Sequence, residues 1–174
     1  DIPPDFIWSK LANQAPQRLV EIGAGTAFFC IAFLQHFKPE RIYACDLSDT
    51  MIEWMEENVS PAYPAIVPVK TEEDRVPLAE GCSDLVFMIN LHHELEQPAQ
   101  SLREAHRLLQ AGGEVFIVDW KKQEMANGPP TEIRCTAEEV EAQLKAAGFE
   151  QFVAYDDLEK HFLVVGRKKL SSQK

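Results

Sequence analysis

The chain has 174 residues, 45% of them hydrophobic and 26% charged, the make-up of one globular domain with room for a sizeable core. Its formal net charge of -11 argues against nucleic acid as a partner, because a phosphate backbone is repelled across most of such a surface. No apolar run approaches the ~20 residues that a membrane span needs.

The four cysteines, Cys30, Cys45, Cys82 and Cys135, lie far apart without a C-x-x-C pair. A reducing, cytoplasmic compartment and no metal site are expected from that usage. The chain begins at Asp1 without a methionine, which leaves a preceding segment open.

Asp1 to Asn13 reads as a short helix after Pro3-Pro4, capped by Asp5, with Ile7, Trp8 and Leu11 on one face. Arg18 to Ile22 reads as a buried strand. Gly23 and Gly25 follow at once, and then an almost wholly apolar run from Ala27 to Phe37. Strand, glycine turn and helix open a nucleotide-binding βαβ unit. Glycine lets the backbone turn tightly and lets a ligand lie where a side chain would collide. The next strand, Arg41 to Cys45, ends on Asp46, where a carboxylate can grip ribose hydroxyls. A dinucleotide turn asks for a tiny residue three positions past Gly25, and Phe28 stands there. Glu21, just ahead of the turn, sets an anion where a pyrophosphate would rest.

Ser48 or Thr50 caps the next helix, with Met51, Ile52, Met55 and Val59 as its buried stripe and Pro61 and Pro64 past its end. Ala65 to Lys70 is a third strand, followed by a polar loop from Thr71 to Leu78. Ser83 to Ile89 is a fourth, strongly apolar strand that runs into Asn90-Leu91-His92-His93-Glu94. Pro98 opens a helix with Leu102, Ala105, His106 and Leu109 at helical spacing and Gly112-Gly113 as its stop. Glu114 to Asp119 is a fifth strand, and the loop after it, with Gly128-Pro129-Pro130, is long enough to suggest function. Thr136 and Glu139 form a capping box for a helix that turns Val140, Leu144 and Ala147 inward and closes at Gly148. Phe149 to Tyr155 and His161 to Arg167 pair as a hairpin. The expected fold is a single α/β domain over residues 1–174. Its seven-stranded Rossmann-like sheet is mostly parallel with an antiparallel terminal strand, and helices on both faces make three layers.

Glu21, Gly23 and Gly25, with Ala27 in place of a third glycine, resemble the first motif [DE]-x-G-x-G-x-G of the class I S-adenosylmethionine (SAM)-dependent methyltransferases. The resemblance covers about Gln17 to Lys168. It is closest to the small-molecule branch that includes ubiquinone and menaquinone biosynthesis methyltransferases. Asp84-Leu85-Val86 leading to Leu91-His92-His93, then Arg107 to Gly113, then Ala147 to Phe149 carry it in the right order. It implies SAM as cofactor and S-adenosylhomocysteine as product, with Glu21, Gly23, Ala24 and Gly25 at the turn and Asp46 on the ribose. Leu47 and Met51 are the residues expected near the adenine, with Leu47 favoured. Glu72 or Glu73 would accept from the adenine amino group, and Asn90 and Leu91 would hold the methionine end through backbone.

Methyl transfer is an in-line displacement from a good leaving group, so proximity dominates and a base serves only an acceptor that must lose a proton. His92 and His93 are the candidates, and as neighbours only one of them can face the cleft. Asp119 and Trp120 face the expected acceptor side, and Arg134 is placed either to meet an anionic acceptor or to solvate its loop. The acceptor is expected to be a small molecule, and the protein a monomer or a homodimer paired through an uncovered hairpin edge. Two other readings stand beside this one. One is a SAM-binding protein without catalysis; the other is an NAD(P)-dependent oxidoreductase, against which Phe28 and Glu21 speak.

Overall fold

A computed structural model describes residues 2–171, so Asp1, where the first expected helix was to begin, lies outside the described residues. The elements in chain order are α1 (Pro4–Lys10), β1 (Arg18–Ile22), α2 (Phe28–Phe37), β2 (Arg41–Asp46), α3 (Asp49–Asn58), β3 (Ile66–Lys70) and β4 (Ser83–Ile89). There follow α4 (Pro98–Leu108), β5 (Leu109–Trp120), α5 (Ala137–Ala146), β6 (Phe149–Tyr155) and β7 (His161–Lys168). The strands form one seven-stranded sheet in the order β3-β2-β1-β4-β5-β7-β6. All neighbouring pairs from β3 to β5 are parallel, and β7 enters antiparallel between β5 and β6.

The sheet parts two apolar cores. On one face, α1, α2 and α3 bury Ile7, Phe33 and Met55, and Phe33, Phe87 and Phe116 stack with centroids 4.9 to 5.8 Å apart. On the other, Leu102, Ala105 and Leu108 of α4 and Val140 and Leu144 of α5 cover Val86, Met88 and Val115. With helices on both sides, β4 has no solvent face and all seven of its residues are buried. Switching from β1 to β2 on one side and β4 on the other leaves a crevice at the carboxyl ends of these strands, the usual ligand position in such sheets.

Two local expectations are corrected, and the choice between Ser48 and Thr50 is decided. Asp5 sits in the first turn of α1 and does not cap it; the flanking residue is Pro3, and the helix is only seven residues long. Ser48 is the cap of α3, its Oγ accepting from the Met51 N–H. Helix α4 stops at Leu108, not at Gly112-Gly113. The Lys168 ammonium donates to the carbonyls of His106 and Leu109 at 2.8 and 2.7 Å, satisfying the helix end that a glycine cap would otherwise serve. Gly112 and Gly113 instead fall in an irregular start of β5, and regular pairing with β4 begins at Glu114. The capping box at Thr136 and Glu139 is present as expected. Both outer strands are interrupted: β3 carries Pro68, and β6 slips register around Gln151, whose φ is +56°.

Candidate functional site

A cleft of about 650 Å³ opens at the carboxyl ends of β1, β2 and β4. Its floor is the turn after β1. Gly23 and Gly25 have φ of +76° and +55°, and Ala27 also takes a left-handed φ of +59°. The N–H groups of Gly23 and Ala24 both donate to the Cys45 carbonyl at 2.9 Å, tying the turn to β2. A Cβ on Gly23 would stand 2.7 Å from the Leu91 side chain, whereas the space above Gly25 is open. Asp46 lies beside the turn. One of its oxygens accepts from the Gly25 N–H at 2.8 Å and the other from the Ser48 N–H at 2.9 Å. The backbone thus fixes the carboxylate, and each oxygen keeps a second lone pair.

Gly23, Gly25, Asp46, Leu47, Glu72, Glu73, Asn90 and Leu91 are all brought onto this one cleft. Leu47 is half exposed there and offers an apolar surface to the cleft. Asn90 has φ of +55°, and its side-chain oxygen is buried without a hydrogen-bond partner. Sequence reasoning overlooked the contribution of α4. Glu104 accepts from the Val76 N–H at 3.0 Å, while Arg107 donates to Glu104 and to the carbonyls of Val76 and Leu78. This clamp pins the loop after β3 as one cleft wall. The only sequence signal was an acid and an arginine three positions apart on one helix face.

Five named candidates do not line the cleft. Ala24 is buried behind the turn, and Met51 sits half-buried in the first turn of α3. Glu21 points into the α2 side of the sheet, only 2% exposed, and accepts from the Cys30 thiol at 2.8 Å. Burial pushes its carboxyl up to about 8, so at neutral pH the expected anion is mostly a neutral acid.

His92 and His93 occupy a second, drier corner above β4 and β5. His92 is 2% exposed and held to Gln143 of α5 at 2.6 Å; burial lowers its basicity. His93 lies against Asp119, with its Nδ1 2.7 Å from one carboxylate oxygen and its backbone N–H donating to the other at 3.0 Å. Its Nε2 is 3.6 Å from the exposed Glu94, which does line the cleft. The pair therefore turn opposite ways, as neighbouring residues must. His161 of β7 packs its ring 4.2 Å from Trp120, and burial pushes it down to about 4. Arg134 meets no open surface: it is 4% exposed and donates to the carbonyls of Lys121, Gln123 and Pro129. It ties the long loop after β5 to itself. No cluster of metal-ligating side chains occurs among the described residues.

The family model described as "Methyltransferase domain" matches residues 20–117, more than half of the chain. The chain belongs to this methyltransferase family. A SAM-dependent methyltransferase of Aquifex aeolicus has the same architecture, with a TM-score of 0.87 and 25% identity over 94% of this chain and 88% of that one. A malonyl-[acyl-carrier protein] O-methyltransferase of Hahella chejuensis is 29% identical over 58% of this chain and 36% of its own length. A tRNA N(3)-cytidine methyltransferase of Xenopus tropicalis is 26% identical over 91% of this chain and 49% of its own length. The chain spans about a third to a half of the curated relatives it matches.

SAM is the cofactor that membership implies, and the cleft of this methyltransferase fits it. Asp46 has free lone pairs for a diol, Leu47 offers an apolar face, and the unpartnered Asn90 oxygen suits an ammonium donor. No helix among the described residues is long and apolar enough to cross a membrane.

Proposed function

We propose that this methyltransferase moves the methyl group of SAM to a small-molecule acceptor held where the cleft meets the His93 corner. The observation that carries the reading is Asp46, a carboxylate locked by two backbone N–H groups beside a left-handed glycine turn. In this reading the ribose hydroxyls meet Asp46, the adenine lies against Leu47 with Glu72 or Glu73 near its amino group, and the methionine end meets Asn90 and Leu91. The bound cofactor supplies an activated methyl on a sulfonium. What the chain supplies is position, which matters most for a displacement with so good a leaving group.

His93 is the group fitted to hold an acceptor proton. Asp119 fixes its Nδ1 side and directs Nε2 toward Glu94 at the cleft rim. His92 is engaged by Gln143 and serves packing. The turn's carboxyl neighbour Glu21, neutral in its apolar setting, positions the turn from behind through Cys30.

Relatives in both directions, acyl-carrier and tRNA enzymes by name, leave the acceptor class to be argued from this chain. The net charge of -11 supports a small acceptor over tRNA, since binding RNA releases counterions only where basic groups meet phosphates. Interrupted edges on β3 and β6 support a monomer. The test is transfer of labelled methyl from SAM to a panel of phenols, carboxylic acids, amines and quinols, run beside bulk tRNA. Label in a small molecule is expected; label in tRNA alone overturns the reading.

A further inference from the structure

The turn from Glu72 to Arg75 is the stretch of cleft wall that the cofactor reading sets against the adenine amino group. Its side chains are all exposed, and it closes on itself through two backbone bonds. The Glu72 N–H donates to the Arg75 carbonyl at 3.0 Å, and the Arg75 N–H donates back to the Glu72 carbonyl at 3.4 Å. A turn with so little packing is placed by its two roots. One root continues a ladder: the Thr71 N–H donates to the Asp46 carbonyl at 3.0 Å, extending the pairing of β2 with β3. The other root, Val76 to Leu78, joins no strand, and α4 supplies its partners.

The Val76 side chain packs into the core under α4, and its N–H donates to Glu104 at 3.0 Å. Arg107 donates from Nη2 to the Val76 carbonyl at 3.0 Å and from Nη1 to the Leu78 carbonyl at 2.9 Å. Its Nε and Nη2 hold the Glu104 carboxylate at 2.9 and 2.5 Å, and its own carbonyl accepts from the Gly81 N–H at 2.9 Å. A planar guanidinium fork can serve these acceptors together, which a single ammonium cannot. Glu104 lines the cleft, while Arg107 stands behind it. The amino group of adenine is a donor, and the carbonyl that replaces it in hypoxanthine is an acceptor. A carboxylate or backbone acceptor held at hydrogen-bond distance tells the two apart; one displaced by about an ångström does not.

Resting on the cofactor reading above, we propose that Arg107 is a positioning residue for base recognition. From behind the cleft it sets, through Glu104, Val76 and Leu78, the place at which the Glu72–Arg75 turn meets the adenine edge. The ribose and the methionine end, held by Asp46 and by the segment after β4 in that reading, do not depend on it.

Calorimetric titration of the full chain with S-adenosylhomocysteine and with S-inosylhomocysteine, which carries hypoxanthine in place of adenine, tests this. The unaltered chain prefers the adenine form by about tenfold, the effect of one mismatched hydrogen bond in the complex. In Arg107→Ala, titrated below its unfolding transition, the adenine form loses about tenfold in affinity and the hypoxanthine form less than about twofold, so the preference disappears. Arg107→Lys keeps the charge and the stem and still loses most of the preference, and it decides the matter should the alanine variant not fold. A loss shared equally by both ligands is the mark of a merely structural clamp and overturns the inference. So does a preference that survives either substitution or is absent from the unaltered chain, and in each of these cases the cofactor reading stands. Binding of neither ligand by the unaltered chain overturns both.

Discussion

At the ends of β1 and β2 the site is made by backbone; at the ends of β4 and β5 it is made by side chains that meet from far apart. The glycine turn, the Cys45 carbonyl and Asp46 all lie within one βαβ unit, where the N–H groups of Gly23, Ala24, Gly25 and Ser48 each find a local acceptor. In the second corner His93 reaches Asp119, 26 positions on, and His92 reaches Gln143, 51 positions on. That corner also keeps buried nitrogens of His92 and His161 unpaired. A binding surface that serves one invariant ligand can be rigid and fully satisfied. A surface that meets a varied acceptor is built from long-range pairs over a frame supplied by other elements.

Breaking the second corner has the largest expected effect. Asp119→Ala strands the His93 ring N–H and the backbone N–H groups of His93 and Trp120 in a buried place. Stability falls by about 3 kcal/mol, read by denaturant unfolding, while SAM affinity measured below the transition stays within a factor of about two. A matching loss of cofactor affinity would erase the distinction between the two regions. Asp46→Ala makes the opposite trade: SAM affinity drops by about 1–3 kcal/mol by calorimetry, and folding stability changes little.

Gly23→Ala strains the turn itself. Its φ of +76° costs a side-chain-bearing residue about 1–2 kcal/mol, and Leu91 must also move aside. Stability and SAM affinity should fall together, which neither aspartate substitution does. A smaller effect is expected at Glu21, whose carboxyl is raised from 4.5 to about 8 by burial. The folded state then holds a proton that the unfolded state has lost, so stability declines as pH rises through that interval. Glu21→Gln removes this decline, a slope of about 1 kcal/mol per pH unit, which thermal unfolding at several pH values will register.

The geometry of the cleft was legible in the sequence because its signals are local. Gly23 and Gly25 must be glycine for the turn, and Asp46 must end a strand, so spacing alone brought them to one place. Glu21 was legible as a residue and misleading as a charge, because nothing in sequence shows that Cys30 of α2 will seal it from water. The end of α4 was misplaced because its cap is Lys168, from the far end of the chain. Arg134 looked like a reader of anions and proved to be a tie for its own loop, since carbonyls of a loop are invisible in side-chain patterns. The clamp of Arg107 and Glu104 on the loop after β3 was hidden for the same reason.

The proposed chemistry requires the cleft between the glycine turn and Asp46 to be a SAM site. Calorimetric titration of the intact chain with SAM, in parallel with NADH, tests it most directly. Saturable one-to-one binding of SAM with no heat from NADH is the predicted result. Binding of NADH in place of SAM would contradict it at its foundation.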